Sequence, residues 1–79
     1  MPRTAFPTRA ERAFMKELGN NARKGREWLG LTQEQVAREA GLSRTYVTEL
    51  EHGKVNISIL ALRRLAIVID LPLEVVFAD

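Results

Sequence analysis

The stretch of residues 32–53 constrains the fold most, because it encodes two helices that are each only about two turns long. Thr32 and Gln35 have the spacing of a capping box, in which the threonine oxygen accepts from a backbone amide and the glutamine reaches back. Gly41 follows the first of these helices, at the position where a left-handed residue is favoured. Ser43 is expected to cap the second helix, which Gly53 ends. A tight turn therefore joins two short helices at a steep angle.

A longer helix is expected before this pair. Thr8 is its expected N-cap and Gly30 its end, while Gly19 and Gly25 weaken the helix without ending it. Apolar residues recur within it at close to helical spacing, at Ala10, Ala13, Phe14, Leu18, Ala22 and Leu29. The first eight residues contain two prolines and no apolar period, which predicts a flexible arm.

Two more helices are expected after the pair. Ser58 is the expected cap of the fourth, and Pro72 is expected to open a short fifth. The inner face of the fourth helix is predicted to carry Ile59, Leu62, Leu65, Ala66 and Ile69. No alternation typical of a β-strand has a useful length.

These patterns predict an all-α fold of five short helices. The arm is expected at residues 1–8 and a single domain at residues 9–79. Within that domain, helix two is predicted at about 33–40 and helix three at about 44–52.

The distribution of charge along the chain indicates which class of partner it can bind. Residues 1–30 carry seven basic and three acidic side chains, whereas residues 31–79 carry five basic and seven acidic ones. A basic end indicates attraction to a polyanion, although a solvated helix face has the same composition. The chain has no cysteine, no apolar run long enough for a membrane helix and no pattern typical of a secretory signal. We therefore expect a cytoplasmic protein.

One face of the third helix is predicted to be free for binding. Val47 and Leu50 define its buried side at 100° per residue. The opposite side carries Thr45, Thr48, Glu49 and His52, and Arg44 projects from the first turn. Such a helix fits the major groove of DNA, which is about 12 Å wide.

The residues T-Q-x-x-V-A-x-x-A-G-L-S-R-T-Y-V-x-x-L-E-x-G at positions 32–53 resemble the lambda-repressor-like helix-turn-helix family, also called the Cro or xenobiotic-response-element type. The resemblance extends over residues 18–77 and implies a five-helix DNA-binding domain whose third helix is the recognition helix. The run Ser43-Arg44-Thr45-Tyr46 is also similar to the controller proteins of restriction–modification systems. The implied function is a transcriptional regulator that binds a palindromic operator as a homodimer. An antitoxin or another module that binds a protein partner is the alternative, and the candidate protein partners are a toxin and the transcription machinery.

The resemblance also implies roles for individual residues. Base reading is assigned to Arg44, Thr45, Thr48 and Glu49. Gln33 and Ser43 are expected to bind phosphates, with Gln33 also bracing the recognition helix. An internal ion pair is expected between Arg26 and Glu51. Further candidate phosphate contacts, from residue type and position, are Tyr46, Arg23, Lys54 and Asn56.

Several of these roles have alternatives. Arg44 could fork onto guanine, as arginine commonly does, or bind a phosphate. Glu49 could accept from cytosine, or position Arg44 or Arg38 without touching DNA. Tyr46 could pack partly into the core instead of binding a phosphate, and His52 is expected to have a structural role at the helix end.

The C-terminal third carries more apolar surface than one small bundle can bury. Residues 67–69 are all branched and apolar, so at least one must point away from the core. Such a patch usually marks an interface. The predicted dimer contact comprises Ile67, Leu73, Val76 and Phe77, of which Leu73 and Val76 match positions that often form this contact in the family.

Three positions depart from the family pattern. Gly25 stands where a large aliphatic residue is usual, and Phe14 or Trp28 is expected to fill the volume; Ile57 replaces a common proline, and Asp70 a common glycine. The chain lacks a phosphate-binding glycine loop, metal-ligand spacing and a nucleophile motif. We therefore expect neither an enzyme nor a protein that needs a metal or other cofactor.

Overall fold

The computed structural model describes residues 7–72 and residue 74, which contain four helices and no strand. They are α1 (Arg9–Trp28), α2 (Gln33–Ala40), α3 (Arg44–Glu51) and α4 (Ile59–Ile69). The all-α class is therefore confirmed, with four helices in the described part. The fifth helix, predicted to open at Pro72 and to contain Leu73, Val75, Val76 and Phe77, falls mostly on residues outside the described part, as does the predicted arm in its residues 1–6. None of the four helices combines the length and the apolar character that crossing a membrane requires.

Each of the four helices is preceded by a hydroxyl residue that caps it, as the sequence predicts. The side-chain oxygen of each cap accepts from the backbone amide three residues later, at Thr8, Thr32, Ser43 and Ser58. Thr8 and Thr32 also form complete capping boxes. Each such cap contributes about 1 kcal/mol by satisfying an amide that would otherwise have no partner in the helix.

Left-handed residues follow all four helices: directly after α2 and α4 and, as Gly30 and Gly53, one residue later after α1 and α3. Gly41 ends α2 at φ 68°, which sets the turn into α3. Asp70 ends α4 at φ 56° and is the one residue other than glycine with positive φ among those described. Asp70 thus performs at α4 the role that glycine has at α2, since aspartate tolerates this conformation better than most residues.

The core lies where α2, α3 and α4 pack against the second half of α1. Its buried members are Ala22, Val36, Ala37, Val47, Leu50, Leu65 and Ile69. Leu18 and Leu62 form a smaller cluster beside it. α3 is fixed on this core by Val47 and Leu50, which are each 1% exposed.

The first half of α1 extends past this core, which corrects two sequence-based expectations. Ala10, Ala13 and Phe14 are exposed although they have core spacing. Ile59 was expected to point inward and is 76% exposed, because it begins α4 beside the first half of α1 and residues 55–57, which leave it uncovered. Phe14 and Ile59 instead line an open apolar groove of about 340 Å³ between α1 and α4.

The volume opposite Gly25 is filled from α4, and neither expected residue fills it. A Cβ at Gly25 would lie 3.5–3.8 Å from three atoms of Ile69, which therefore occupies the space. Trp28 is 89% exposed and Phe14 is 43% exposed, so the expectation that one of them packs here is wrong. A branched side chain at the end of α4 compensates for the missing aliphatic residue in α1.

Two glycines bring the backbones of α1 and α3 together. A Cβ on Gly19 would collide with the carbonyl oxygen of Leu50 and lie 3.0 Å from that of Glu51. A Cβ on Gly53 would lie 2.7 Å from the Cα of Lys16. Side chains are thus excluded on both sides of this crossing, and the end of α3 is held directly against α1.

Candidate nucleic-acid interface

The four predicted base readers lie together on the outer side of α3. Arg44, Thr45 and Glu49 are exposed, and Thr48 is half-buried. All four line one shallow depression with Gln33, which begins α2. The packing of α2 on α3 therefore places a predicted phosphate-binding residue at the edge of the predicted base-reading surface.

A chain of polar side chains connects this surface to α1. Thr48 Oγ1 donates to Gln33 Oε1 at 2.9 Å, and Gln33 Nε2 donates to Glu51 Oε1 at 3.0 Å. Arg26 then donates from Nε and Nη2 to the two oxygens of Glu51, at 2.6 and 2.9 Å. Its remaining Nη1 donates to the carbonyl oxygen of Leu31 at 2.9 Å. One network thus joins the first three helices behind the base-reading surface.

The ion pair in this network is largely withdrawn from water. The side chains of Arg26 and Glu51 are 13% and 4% exposed. Burial acts to raise the pKa of the Glu51 carboxyl, but the hydrogen bonds from Arg26 and Gln33 and the charges of Arg26 and Arg23 lower the pKa more. The hydrogen bond to Glu51 raises the pKa of Arg26 above its ordinary value. Both groups are therefore charged at neutral pH, and the forked geometry fixes how α1 and α3 meet.

The hydrogen bonds within this network limit which donor and acceptor groups of Thr48 and Gln33 remain available to DNA. Because Thr48 donates its hydroxyl proton to Gln33, it can present a methyl group or an accepting oxygen to a base. Gln33 keeps one amide proton of Nε2 and its own backbone amide, which lies in the first turn of α2. Bonds between these two side chains depend on their rotamers, and no spacing in the sequence indicates them.

Ser43 caps α3, and Tyr46 lies in the first turn of the same helix. The Ser43 oxygen accepts from the Tyr46 amide, which leaves its hydroxyl proton free for a phosphate. The Tyr46 hydroxyl oxygen lies 3.4 Å from the backbone amide of Ser58, at the beginning of α4. Tyr46 is half-buried, and its hydroxyl reaches the residue that caps α4.

The other candidate phosphate contacts do not form one cluster. Arg23 is exposed on α1 and donates to Asn20 Oδ1 at 2.7 Å. Lys54 is exposed just after α3, whereas Asn56 lines the apolar groove between α1 and α4. Asn56 therefore lies apart from the depression on α3. His52 has the expected structural geometry, with Nδ1 2.7 Å from the Thr48 carbonyl oxygen.

Part of the predicted dimer contact can be located. Ile67 is 68% exposed on α4, whereas Ile69 is buried, so residues 67–69 divide between surface and core as their spacing requires. Leu60 lies two turns before Ile67 and is 63% exposed. Sequence reasoning missed Leu60, although its seven-residue spacing from Ile67 is a recognisable signal. Leu73, Val76 and Phe77 lie outside the described residues.

Comparison with known proteins agrees with this geometry. A family model described as helix-turn-helix matches residues 23–76. Among solved structures, the restriction-modification controller protein C.AhdI from Aeromonas hydrophila is 34% identical and has a TM-score of 0.76, with 82% of this chain and 98% of that chain covered.

Two curated proteins are similar over comparable lengths. The control protein C.MunI from a Mycoplasma species is 36% identical over 77% of this chain and 84% of its own. The ImmF control region 10 kDa protein of Bacillus phage phi105 is 38% identical over 76% of this chain and 67% of its own. All three names describe control or controller proteins, and none describes an enzyme.

Proposed function

This chain belongs to the helix-turn-helix family and is a DNA-binding transcriptional regulator, and we propose that it acts as a homodimer on a palindromic operator. This family match agrees with the resemblance to lambda-repressor-like proteins that the sequence itself shows. The genes that it controls are proposed to be those of a restriction–modification system, as the names of C.AhdI and C.MunI suggest. Those names give the antitoxin alternative no support.

The observation that carries the proposal is the depression on α3. It groups Arg44, Thr45, Thr48 and Glu49 on an exposed face that is anchored from behind by Val47. An arginine at the start of a helix in the major groove can donate two bonds to guanine O6 and N7. Gln33 at its edge can bind the phosphate backbone and set the depth at which the helix enters the groove. Base reading is thus proposed for α3 and positioning for the start of α2.

The electrostatics of Glu49 restrict its role. It is exposed beside Arg44 in the same depression, and an unpaired carboxylate would be repelled by the phosphates. A protein role, in which Glu49 orients Arg44, avoids this cost. A hydrogen bond that Glu49 accepts from cytosine N4 would offset this repulsion only where the DNA has a cytosine. Glu49 would then add to the specificity.

The dimer proposal rests on the exposed apolar side chains of α4. Leu60 and Ile67 share one face and are each more than half exposed. Burying such a side chain fully contributes about 1.5–3 kcal/mol before the cost of association. A two-fold axis beside α4 would place the second recognition helix about 34 Å away, one turn of DNA. The operator half-sites would then be centred about ten base pairs apart.

Arg44→Ala is expected to weaken binding to the operator by about 1–3 kcal/mol and to relax preference at one position in each half-site. Affinities for the operator and for all single-base variants of it measure both effects. Arg38→Ala is the control, because Arg38 is an exposed arginine on α2 outside the depression. If Arg44→Ala keeps the wild-type preference at every position, Arg44 is not a base reader.

Ile67→Asp is expected to convert the dimer to a monomer, because a carboxylate would be buried across the proposed two-fold axis without a partner. Sedimentation at tens of micromolar protein measures the effect. Ile59→Asp is the matched control, since Ile59 is an equally exposed isoleucine at the other end of the same helix. A monomeric wild type, or a dimeric Ile67→Asp protein, would refute this interface.

A further inference from the structure

Helix α1 carries a basic stripe, defined here as Arg9, Arg12, Lys16 and Arg23. All four side chains are exposed. At 3.6 residues per turn they fall within about 60° of one another around the helix axis, and they extend over about 21 Å along it. The stripe stops at Glu27, which occupies the same face one turn further on.

The stripe lies beside the end of the recognition helix. The backbone of Lys16 packs against Gly53, which follows α3, and Gly19 packs against the last turn of α3. Gly19 and Arg26, which contact α3, lie along one edge of the stripe around the α1 axis. The basic side chains therefore continue outward from the end of the proposed base-reading helix.

The fold does not account for this alignment of charge. Within residues 7–72, the side chains of Arg9 and Lys16 form no hydrogen bond and no ion pair, whereas Arg12 donates to the Pro7 carbonyl oxygen at 2.9 Å and Arg23 to Asn20 Oδ1 at 2.7 Å. Arg12 lies three residues from Arg9 and four from Lys16, and like charges at these spacings destabilise a helix. The first three residues of the stripe also precede the family match, which begins at residue 23. The alignment of like charges thus has a cost in stability that binding of an anion would offset.

We propose that the basic stripe binds a run of DNA phosphates adjacent to the bases that α3 contacts. This inference rests on the proposed function. A stripe about 21 Å long with four cations can reach several successive phosphates of a DNA backbone, which carries one negative charge about every 3.4 Å of helix axis on each strand. Its flexible arginine and lysine side chains bind phosphate without reading sequence, so the stripe adds affinity and salt dependence to the complex while α3 supplies specificity.

The test compares Arg9→Gln/Lys16→Gln with wild type on one duplex, the sequence most enriched by the wild-type protein in an unbiased selection. The logarithm of the binding constant is measured against the logarithm of salt concentration. Removing two phosphate contacts is expected to reduce the steepness by about 1.8 for each bound protomer. Affinity at 0.1 M salt is expected to fall by at least about tenfold, with sequence preference unchanged. Ethylation interference is expected to lose a contiguous set of phosphates.

The control variant Lys24→Gln/Arg63→Gln removes the same charge from exposed positions off the stripe. It is expected to keep the wild-type interference pattern and most of the salt dependence. A stripe variant that matches wild type in slope and in interfering phosphates overturns this inference, whatever α3 does. A wild type that prefers no sequence overturns the proposed function instead, and the two slopes measured on any one duplex still decide whether the stripe binds phosphates.

Discussion

Gly19→Ala is expected to destabilise the protein by about 3 kcal/mol, although alanine is the better helix former by about 1 kcal/mol. The added Cβ would collide with the carbonyl oxygen of Leu50 and lie 3.0 Å from that of Glu51. Both atoms belong to the backbone of α3, which cannot rotate away as a side chain would. Either α1 and α3 must separate, with loss of packing around Leu50, or the clash remains. Denaturant unfolding measures the change, and the melting temperature should fall by more than about 10 °C.

The matched control for this substitution is Gly25→Ala, on the same helix. Its Cβ would lie 3.5 Å from the Ile69 carbonyl oxygen and 3.6 Å from the Ile69 Cδ1 atom, which is ordinary contact. Here the helix-propensity gain should dominate, so we expect no loss and up to about 1 kcal/mol of added stability. Equal effects at the two glycines would mean that the close approach of α1 and α3 does not exist in solution.

Glu51→Gln is expected to have the second large effect, a loss of about 3 kcal/mol in the free energy of unfolding. The substitution keeps the shape but leaves the Arg26 charge, 13% exposed, without a counter-ion. Removing one partner of a buried pair typically costs about 3–5 kcal/mol, and residual access to water places this pair at the low end. Unfolding of the variant and wild type at pH 7 measures the loss.

Glu34→Gln is the control for this ion pair. Glu34 faces Arg38 at 4.0 Å on α2, and their side chains are 69% and 71% exposed. Such a surface pair contributes about 0–1 kcal/mol, so the control should unfold almost as wild type does. A Glu51→Gln protein as stable as this control would contradict a stabilising role for the buried pair.

The ion pair of Arg26 and Glu51 also makes the free energy of unfolding depend on pH, in a direction that follows from the pKa of Glu51. Because the folded-state pKa of Glu51 lies below its ordinary value of 4.5, the unfolded chain binds this proton more readily than the folded protein. The contribution of Glu51 is therefore complete above that ordinary value and is lost as pH falls through the lower, folded value. Glu51→Gln should lack this part of the acid destabilisation, so the difference in stability between it and wild type should shrink towards low pH.

Helix starts were predictable because they depend on few residues close in sequence. Thr8, Thr32, Ser43 and Ser58 cap the four helices of the described part as expected. An N-cap needs one side chain and the amides of the next turn, and both can be read directly from the sequence. Gly41 acts in the same local way through its positive φ.

The errors at Ile59 and Trp28 have a different origin. Helical spacing indicates which side of a helix is apolar, but not how far the neighbouring helix extends along it. α1 has 20 residues, whereas α2 and α3 have eight each, so the first half of α1 extends past the core and does not cover Ile59. Trp28 is the last residue of α1 and points away from the core. Side chains near helix ends are therefore left exposed despite their apolar character.

The candidate site was predictable in position and less so in its internal bonds. The burial of Val47 and Leu50 places Thr45 and Glu49 on the free face of α3, and spacing alone was enough to predict that. The pairing of Arg26 with Glu51 came from family resemblance, since no local rule joins residues so far apart in sequence. The close approach at Gly19 also depends on the distance between two backbones, which the sequence pattern does not contain.

The most direct test of the central claim, that α3 reads DNA sequence, is an unbiased selection of random duplexes by the purified wild-type chain. We predict enrichment of an inverted repeat with half-sites centred about ten base pairs apart and a conserved guanine in each half-site. Selection with Arg44→Ala in parallel should lose that guanine and keep the spacing. Recovery of no preferred sequence by the wild type, or of the same motif by Arg44→Ala, would contradict the proposed reading by α3.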